Sequence, residues 1–162
     1  MKKLLAVFIL AVCSWNVNAQ DIRIEDPEVK AMVIKQVDTA WVAACLLKGM
    51  DCRNIPKPIV TFDKDIKWPL LGQYAYGTAQ VAIGLRFYGS PYALVVMTHE
   101  LIHYLQFIEG GKPLNMFTGC KYEEEAYTLA NHVAILKGLT NHPAHAVWAD
   151  MKDAYGCAPP KE

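Results

Sequence analysis

Two histidines and a glutamate near the middle of the chain have types and a spacing suited to metal chemistry. They belong to the stretch His99-Glu100-Leu101-Ile102-His103, which reads H-E-x-x-H. Residues four apart lie on one face of a helix, so both imidazoles can bind one metal ion. Glu100 can then take a proton from a water molecule at that metal. The pattern predicts a Zn²⁺ site in which His99 and His103 are ligands and Glu100 is the general base.

The flanking sequence predicts that this motif lies in the middle of a buried helix over residues 91–109. Ser90 can cap the helix, Pro91 suits its first turn, and an apolar run precedes the motif. Gly110-Gly111 then ends the helix. Two ordinary histidines that hydrogen-bond to their neighbours in a core helix would also fit this pattern. The metal interpretation therefore depends on a third ligand elsewhere in the chain.

Several acidic and imidazole side chains are candidates for that third ligand. They are Glu109, Glu123, Glu124, Glu125, His132, His142 and His145. A second helix is predicted over residues 122–139, with small apolar residues along one face. At about 100° per residue, Glu123 lies at the edge of that face, whereas Glu124 points towards solvent. Glu123 is the predicted third ligand and Glu125 is the alternative; without a metal, Glu123 would be a solvated acid at a helix start.

The two segments resemble the gluzincin group of zincin metallopeptidases. They are also similar to small exported bacterial HExxH proteins of unknown function, which carry H-E-L-x-H-x-x-Q and E-x-E-A-Y, here residues 99–106 and 123–127. The resemblance covers about residues 78–139 and implies a minimal zincin domain, with a strand, the motif helix and a glutamate-bearing helix. It also implies that the strand at residues 78–87 lines the cleft and pairs with an extended peptide.

Two positions depart from the patterns of related peptidases. Tyr127 stands where several relatives place an aspartate that orients a histidine, so that role is filled otherwise or is absent. Gln106 and Glu109 occupy positions at which metzincins need glycine and histidine, which excludes that branch. Gln106 lies one turn beyond His103 on the same helix face, where it can contact that histidine or a substrate.

The remaining elements would hold these two helices in place. They are a helix from Asp26 to Gly49, a strand at residues 59–62, an irregular loop at 63–77, a strand at 78–87 and a short helix at 144–155. This order predicts an α+β fold. We expect a minimal zincin-like domain whose small β-sheet packs against the HExxH helix and the glutamate-bearing helix.

The expected hydrolysis also needs a hydrogen-bond donor for the oxyanion that forms at the attacked carbonyl. The candidates are Tyr127, Tyr74, Tyr76, His142 and His145, and the sequence does not select among them. The aromatic residues Trp68, Tyr74 and Tyr76 form either a wall of a binding site or a cover over the core.

The N-terminal residues have the pattern of an export signal. A basic start and a short apolar run lead to Val17-Asn18-Ala19, a small-residue cleavage site. Residues 1–19 are therefore the predicted signal peptide, and residues 20–162 the predicted single domain. Four cysteines in that domain indicate two disulfides in an exported protein. We favour Cys45–Cys52 and Cys120–Cys157 among the three pairings, with four reduced thiols as the alternative.

Composition and charge narrow the function further. The chain has 16 basic and 16 acidic residues without a basic stripe, so we expect no nucleic-acid partner. No segment beyond the signal is long and apolar enough for stable membrane insertion. We expect a periplasmic or secreted zinc-dependent hydrolase, a metallopeptidase acting on a peptide or protein substrate.

The alternative is a non-catalytic binding protein that keeps a zincin scaffold, with a structural or regulatory metal. Glu100 favours the enzyme, because a structural site needs no general base. The short chain favours the alternative, because it leaves little material for a deep cleft.

Overall fold

The computed structural model describes residues 26–67, 70–113 and 115–157. The predicted signal peptide at residues 1–19 and Trp68 of the predicted aromatic wall lie outside the described residues. The described elements are helix α1 (Pro27–Lys48), strands β1 (Ile59–Asp63), β2 (Gly72–Tyr74) and β3 (Gln80–Gly84), and helices α2 (Ala93–Gly110), α3 (Met116–Leu136) and α4 (Trp148–Met151). These elements confirm the predicted α+β class.

Helix α1 begins and ends where the sequence predicts. The Asp26 side chain accepts a hydrogen bond from a backbone N–H of the first turn at 2.8 Å, and Pro27 is the first helical residue. Gly49 ends the helix in the left-handed region at φ 67°, where a side chain would be strained. The predicted disulfide Cys45–Cys52 ties this helix end to the next turn. The last turn of α1, which carries Lys48, is thereby held in place.

The small sheet has the strand order β1-β3-β2, with β1 parallel and β2 antiparallel to β3. Strand β2 lies inside the segment 63–77, which the sequence predicted to be an irregular loop. Its residues Gly72, Gln73 and Tyr74 lack the β-branched, alternating pattern of a strand, and their pairing with β3 forms it instead. Strand β3 is shorter than the predicted residues 78–87, because the chain turns into a 3₁₀ helix at Leu85–Phe87.

The implied role of the strand at residues 78–87 in peptide pairing is wrong. Strand β3 is the central strand and is hydrogen-bonded on both edges, by β1 and by β2. Its backbone groups therefore have no edge left for another chain. Strand β2 is an edge strand of this sheet, and it packs against α2.

Helix α2 forms the centre of the described fold and packs against α1 on one side and α3 on the other. It begins at Ala93, two residues later than predicted, because Ser90 caps a preceding turn through Tyr92 N–H rather than the helix itself. The side chains on its buried faces belong to the hydrophobic core; the fully buried ones are Met97, Leu101, Ile102 and Leu105. Packing on both sides fixes the rotation of α2 and hence the direction of its histidines.

Helix α3 begins at Met116, earlier than the predicted residue 122, because the Asn115 side chain caps it by accepting a bond from Thr118 N–H at 2.9 Å. Its buried alanines allow a close approach to α2. The predicted disulfide Cys120–Cys157 ties the C-terminal segment to α3. Helix α4 is shorter than the predicted residues 144–155. No helix in the described part of the chain is long and apolar enough to cross a membrane.

Candidate metal centre

The side chains of His99, His103 and Glu123 come together where α3 packs against α2. The Nε2 atoms of the two histidines lie 3.1 Å apart. Glu123 Oε2 lies 3.5 Å from His99 Nε2, and Glu123 Oε1 lies 3.4 Å from His103 Nε2. Each residue offers one ligand atom within 4.8 Å of the others. The structure thus brings together the two motif histidines and the glutamate selected by helical phase.

The spacing of these three groups fits one small metal ion. Zn²⁺ binds nitrogen and carboxylate oxygen at about 2.0–2.2 Å, so the ligand atoms of a tetrahedral site lie about 3.3–3.6 Å apart. The observed distances of 3.1, 3.4 and 3.5 Å are close to this range. Two imidazole nitrogens and one carboxylate oxygen are also a donor set of catalytic zinc sites. The cluster could therefore hold a metal ion, and its donors suit zinc.

The cluster also contains a buried polar atom that lacks a partner. Glu123 Oε2 is inaccessible to solvent and makes no hydrogen bond with any described residue. Buried carboxylate oxygens usually accept hydrogen bonds, because desolvation without a partner is costly. A cation between the two histidines and Glu123 would satisfy this oxygen.

Gln106 fixes the orientation of His103. Its Nε2 donates to Tyr122 O at 2.8 Å and to Glu125 Oε2 at 2.9 Å, which turns Gln106 Oε1 towards the histidine. His103 Nδ1 lies 2.8 Å from that Oε1 and donates to it. His103 Nε2 therefore faces the cluster and can offer its lone pair once it has no proton.

Glu125, the alternative third ligand, is engaged away from the cluster. It accepts hydrogen bonds from Gln106 Nε2 and, at 2.7 Å, from Lys48 Nζ. Lys48 Nζ also lies 2.6 Å from Glu109 Oε2, and the Lys48 side chain is only 7% exposed. Burial alone would lower the pKa of Lys48, but its bonds to Glu109 and Glu125 outweigh burial and raise it. Glu109 and Glu125 therefore belong to an ion-pair network behind His103.

His103 and Glu123 each shift the pKa of the other. Burial alone would lower the pKa of His103, but Glu123 beside it outweighs burial and raises that pKa to about 9. Burial alone would raise the pKa of Glu123, but the two nearby histidines lower it to about 2. At neutral pH the metal-free cluster thus holds an imidazolium and a carboxylate. A metal ion would have to displace the proton from His103 Nε2.

Glu100 lies between the cluster and strand β2, with only 7% of its surface exposed. A Cβ atom added at Gly72 would lie 2.8 Å from Glu100 Cγ and 2.9 Å from its Oε1, so β2 can come this close only with glycine there. Burial raises the pKa of Glu100, and the nearby His99 and His103 oppose that rise. A carboxylate with a raised pKa beside the cluster is a stronger proton acceptor than an exposed one.

Tyr127 and Tyr155 cover the cluster on the side of His99. The ring of Tyr127 packs against His99 with centroids 4.5 Å apart, and its hydroxyl lies 3.3 Å from the Tyr155 hydroxyl. Burial raises the pKa of both tyrosines, so both keep their protons at neutral pH. Sequence reasoning missed Tyr155. The signal was available, since Tyr155 comes shortly before Cys157, and the disulfide Cys120–Cys157 starts one turn before Glu123.

The other tyrosine candidates differ in their distance from the cluster. Burial, together with the charges of Glu123 and Glu100, raises the pKa of Tyr76 to about 12, which indicates that Tyr76 lies near both carboxylates. Tyr74 is a core residue that packs edge-on against Tyr76 and Tyr104. Of the described part of the predicted aromatic wall, Tyr74 covers the core and Tyr76 lies near the cluster, so Tyr127, Tyr155 and Tyr76 are the oxyanion donors still in range.

The remaining candidate ligands lie outside the cluster. Glu124 is exposed, as its helical phase predicts, and His132 bonds to a backbone carbonyl of its own helix. His142 stacks on Tyr92 with ring centroids 4.1 Å apart. His145 Nε2 lies 2.8 Å from Asn131 Oδ1. These contacts leave His99, His103 and Glu123 as the group among the described residues that could hold a metal ion.

A cluster of two histidines and a glutamate is not by itself proof of a zincin, since metal ligands recur on unrelated folds. The geometry of the cluster and of Glu100 is therefore the observation from which a function can be inferred. Comparison with known proteins finds no matching protein-family model, no matching curated protein and no matching solved structure.

Proposed function

We propose that this protein is an exported zinc-dependent hydrolase that cleaves peptide bonds. The observation that carries the proposal is the cluster of His99, His103 and Glu123, whose spacing fits Zn²⁺ and whose buried Glu123 Oε2 makes no hydrogen bond. The buried carboxylate of Glu100 next to this cluster adds a base that a purely structural metal site does not need. This feature favours an enzyme over a binding protein with a structural metal.

The chain's own residues divide the work of hydrolysis. Zn²⁺, when bound, supplies Lewis acidity that polarises a carbonyl group and lowers the pKa of a nearby water molecule. Glu100 takes one proton from that water at a carboxylate oxygen as the water oxygen bonds to the carbonyl carbon. Glu100 then gives this proton to the leaving nitrogen as the C–N bond breaks. The burial that raises the pKa of Glu100 makes the first transfer, from water to the carboxylate, easier.

Two tyrosines are placed to stabilise the charge that develops on the carbonyl oxygen. Tyr127 contacts His99, and its hydroxyl remains protonated because burial raises its pKa. The Tyr155 hydroxyl lies beside the Tyr127 hydroxyl, and the Cys120–Cys157 disulfide holds the segment that carries Tyr155. A protonated hydroxyl in a site partly shielded from water is an effective oxyanion donor. We assign this role to Tyr127 and Tyr155, with Tyr76 near the two carboxylates as the alternative donor, rather than to His142 or His145, which make other contacts.

The sheet edge beside Glu100 supports a peptide as the substrate. Strand β2 pairs with β3 on one side, and no described strand pairs with its other side. Its glycine at position 72 brings this backbone against the Glu100 carboxylate. An extended peptide could therefore add to β2 as a further strand and reach the base.

Export is supported by the chemistry of the cysteines. All four cysteines of the predicted domain pair into two disulfides, Cys45–Cys52 and Cys120–Cys157. Such bonds persist in oxidising compartments and are rare in reducing ones. Together with the signal pattern at residues 1–19, they favour a periplasmic or secreted protein.

The proposal is tested by metal analysis and peptide digestion of the purified protein. We expect one zinc ion per chain and cleavage of a peptide library that stops when a chelator is added. Glu100→Gln should keep the zinc and abolish cleavage, because the amide cannot accept the water's proton. Glu124→Gln, a substitution of an exposed glutamate on α3, is the matched control and should change neither property. Equal cleavage by Glu100→Gln and the unmodified protein would reject the proposed base.

A further inference from the structure

A pocket opens beside the candidate metal centre and runs along α2 towards the N-terminus of that helix. His99 and Glu100 lie at its inner end, so any group held in it would be next to the proposed reaction site. The pocket encloses about 540 Å³, including space open to solvent. Within it, about 50 Å³ is available to the centre of a water molecule, which gives room for a few water molecules and hence for one short side chain.

The walls of the pocket come from four parts of the fold and present apolar and polar groups in similar amounts. Helix α2 supplies the floor, α3 and β2 supply facing walls, and the C-terminal segment closes one side. The apolar groups that line it are Leu70, Leu71, Val95, Val96, Ala130 and Ala146.

Apart from His99 and Glu100 at the inner end, the polar side chains in the pocket are already hydrogen-bonded. His145 Nε2 and Asn131 Oδ1 bond to each other at 2.8 Å, and the Tyr92 hydroxyl donates to Ala144 O at 3.0 Å. Apart from Glu100 at the inner end, no aspartate, glutamate, lysine or arginine among the described residues lines the pocket. A charged group held there would lose its hydration without gaining an ion-pair partner.

We propose that this pocket is the subsite for an uncharged, apolar side chain of the substrate, next to the bond that is hydrolysed. The inference rests on the proposed function and adds a substrate class to it. Transfer of an apolar side chain from water to the walls formed by Val95, Val96 and Ala130 is favourable. The pocket also offers no lysine or arginine to a terminal carboxylate. The protein therefore cleaves inside peptides beside apolar residues rather than removing single residues from a free C-terminus.

Hydroxamic acids with different side arms test the pocket without relying on turnover. A hydroxamate group binds zinc, and its arm reports on the space beside the metal. We would measure Kd by calorimetry on the zinc-loaded protein for acetohydroxamic acid, 4-methylpentanohydroxamic acid, 6-aminohexanohydroxamic acid and adipic monohydroxamic acid. The 4-methylpentano arm should bind about tenfold or more tightly than acetohydroxamic acid, since each buried methylene contributes about a factor of four. The two charged arms should bind no more tightly than acetohydroxamic acid.

Narrowing the pocket should remove this preference. Ala146→Phe fills it from a partly exposed position in the C-terminal segment, and Ala130→Val narrows it from α3. Both variants should keep one zinc ion per chain and lose most of the advantage of the 4-methylpentano arm. Ala149→Phe makes the same change at an exposed position of the same segment and should keep the preference.

The outcomes separate this inference from the proposed function. Equal Kd values for all four acids, or tighter binding of a charged arm, would overturn the subsite and leave the metal centre standing. The subsite would also be overturned if zinc-loaded Ala146→Phe and Ala130→Val still bound 4-methylpentanohydroxamic acid more tightly than acetohydroxamic acid by the same factor as the unmodified protein. Failure of the unmodified protein to bind zinc would reject the subsite together with the metal centre.

Discussion

The two sides of His103 differ in how completely their polar groups are paired. Behind the ring, Gln106 bonds to His103 and Glu125, and Glu125 bonds to Lys48, so every member has a partner. In front of the ring, the Nε2 atoms of two histidines face each other at 3.1 Å, and Glu123 Oε2 has no hydrogen bond within the described chain. Both regions use a glutamate from the same turn of α3, and the Glu125 side chain behind the ring is more exposed than the Glu123 side chain in front of it.

This difference separates the residues that hold His103 in place from the residues that could bind a ligand. Buried polar groups that serve only the fold are normally paired, as those behind His103 are. Polar groups that stay unpaired in a folded protein indicate that something outside the chain completes them, or that strain is stored there. In front of His103, the buried Glu123 Oε2 makes no hydrogen bond, and the contacts of Glu123 with the two histidines, at 3.4 and 3.5 Å, are longer than ordinary hydrogen bonds. The back is complete without a ligand, and its task is to hold the ring.

The sharpest test of this comparison exchanges one carboxylate for an amide on each side. Glu123→Gln should lose zinc almost entirely, because it removes a charged ligand and leaves two histidines. Glu125→Gln should retain one zinc ion per chain, with an affinity lowered by at most about 10–100-fold. Metal content by elemental analysis, followed by competition with a chelator, measures both. Loss of zinc in Glu125→Gln but not in Glu123→Gln would exchange the roles of the two residues.

The second test is the pH dependence of zinc binding. His103, with a pKa of about 9 in the metal-free protein, is protonated at pH 7 and must lose that proton to bind a metal. Zinc affinity should therefore rise about tenfold per pH unit from pH 7 towards 9 and then level off. Glu123, with a pKa of about 2, is already ionised over this range and adds no further dependence. Calorimetry at pH 7 in buffers of different ionisation enthalpy should show about one proton released per zinc ion.

The pKa shifts of His103 and Glu123 also make the stability of the metal-free protein depend on pH. His103 has its pKa raised from 6.5 to about 9, so its stabilising contribution is full below pH 6.5 and is lost as the pH rises through 9. Glu123 has its pKa lowered from 4.5 to about 2, so its contribution is full above pH 4.5 and is lost as the pH falls through 2. The Tm of the metal-free protein should fall between pH 6.5 and 9. An unchanged Tm between pH 6.5 and 9, or zinc binding without proton release, would contradict the interaction between His103 and Glu123.

The third test removes the residue that connects the two regions. Gln106→Leu replaces a buried amide with an apolar side chain of similar size, which leaves His103 Nδ1 without its acceptor. Zinc affinity should fall about 10–100-fold, because the ring loses its fixed tautomer and orientation. The loss should be far from additive with Glu125→Gln, since both act through one chain of hydrogen bonds. Additive losses would mean that Gln106 and Glu125 influence the metal separately.

The front of His103 could be predicted from sequence because helical periodicity is local. The i, i+4 spacing fixes His99 and His103, and the alanine face of α3 selects Glu123 over Glu124. The back could be predicted only in part. Gln106 follows from the same periodicity, but Lys48 lies 77 residues from its partner Glu125, and no local pattern connects them.

Long-range pairing also explains what was missed in the fold. Strand β2 forms because β3 offers it hydrogen bonds, although Gly72 and Gln73 have low strand propensity. The position of β2 against Glu100 was therefore not visible in the sequence, and peptide pairing was expected at β3, which has no free edge. Tyr155 reaches the site through a disulfide that joins residues 37 apart.

The weakest effect on the metal is expected at the far end of the network. Lys48→Met leaves Glu109 and Glu125 without their shared cation, which should destabilise the protein by about 1–3 kcal/mol in urea unfolding. Zinc affinity should change less than tenfold, because Lys48 reaches His103 only through three hydrogen bonds in series, by way of Glu125 and Gln106.

Lys57→Met is the matched control for Lys48→Met. Lys57 pairs with Asp38 on the surface, where both side chains are well exposed, and such pairs contribute about 0–1 kcal/mol. A loss of zinc in Lys48→Met as large as in Glu123→Gln would mean that the back of His103 is part of the metal site. The distinction between the two sides of His103 would then fail. Residues that only hold the ring should change the zinc affinity only as far as their hydrogen bonds affect the position of that ring.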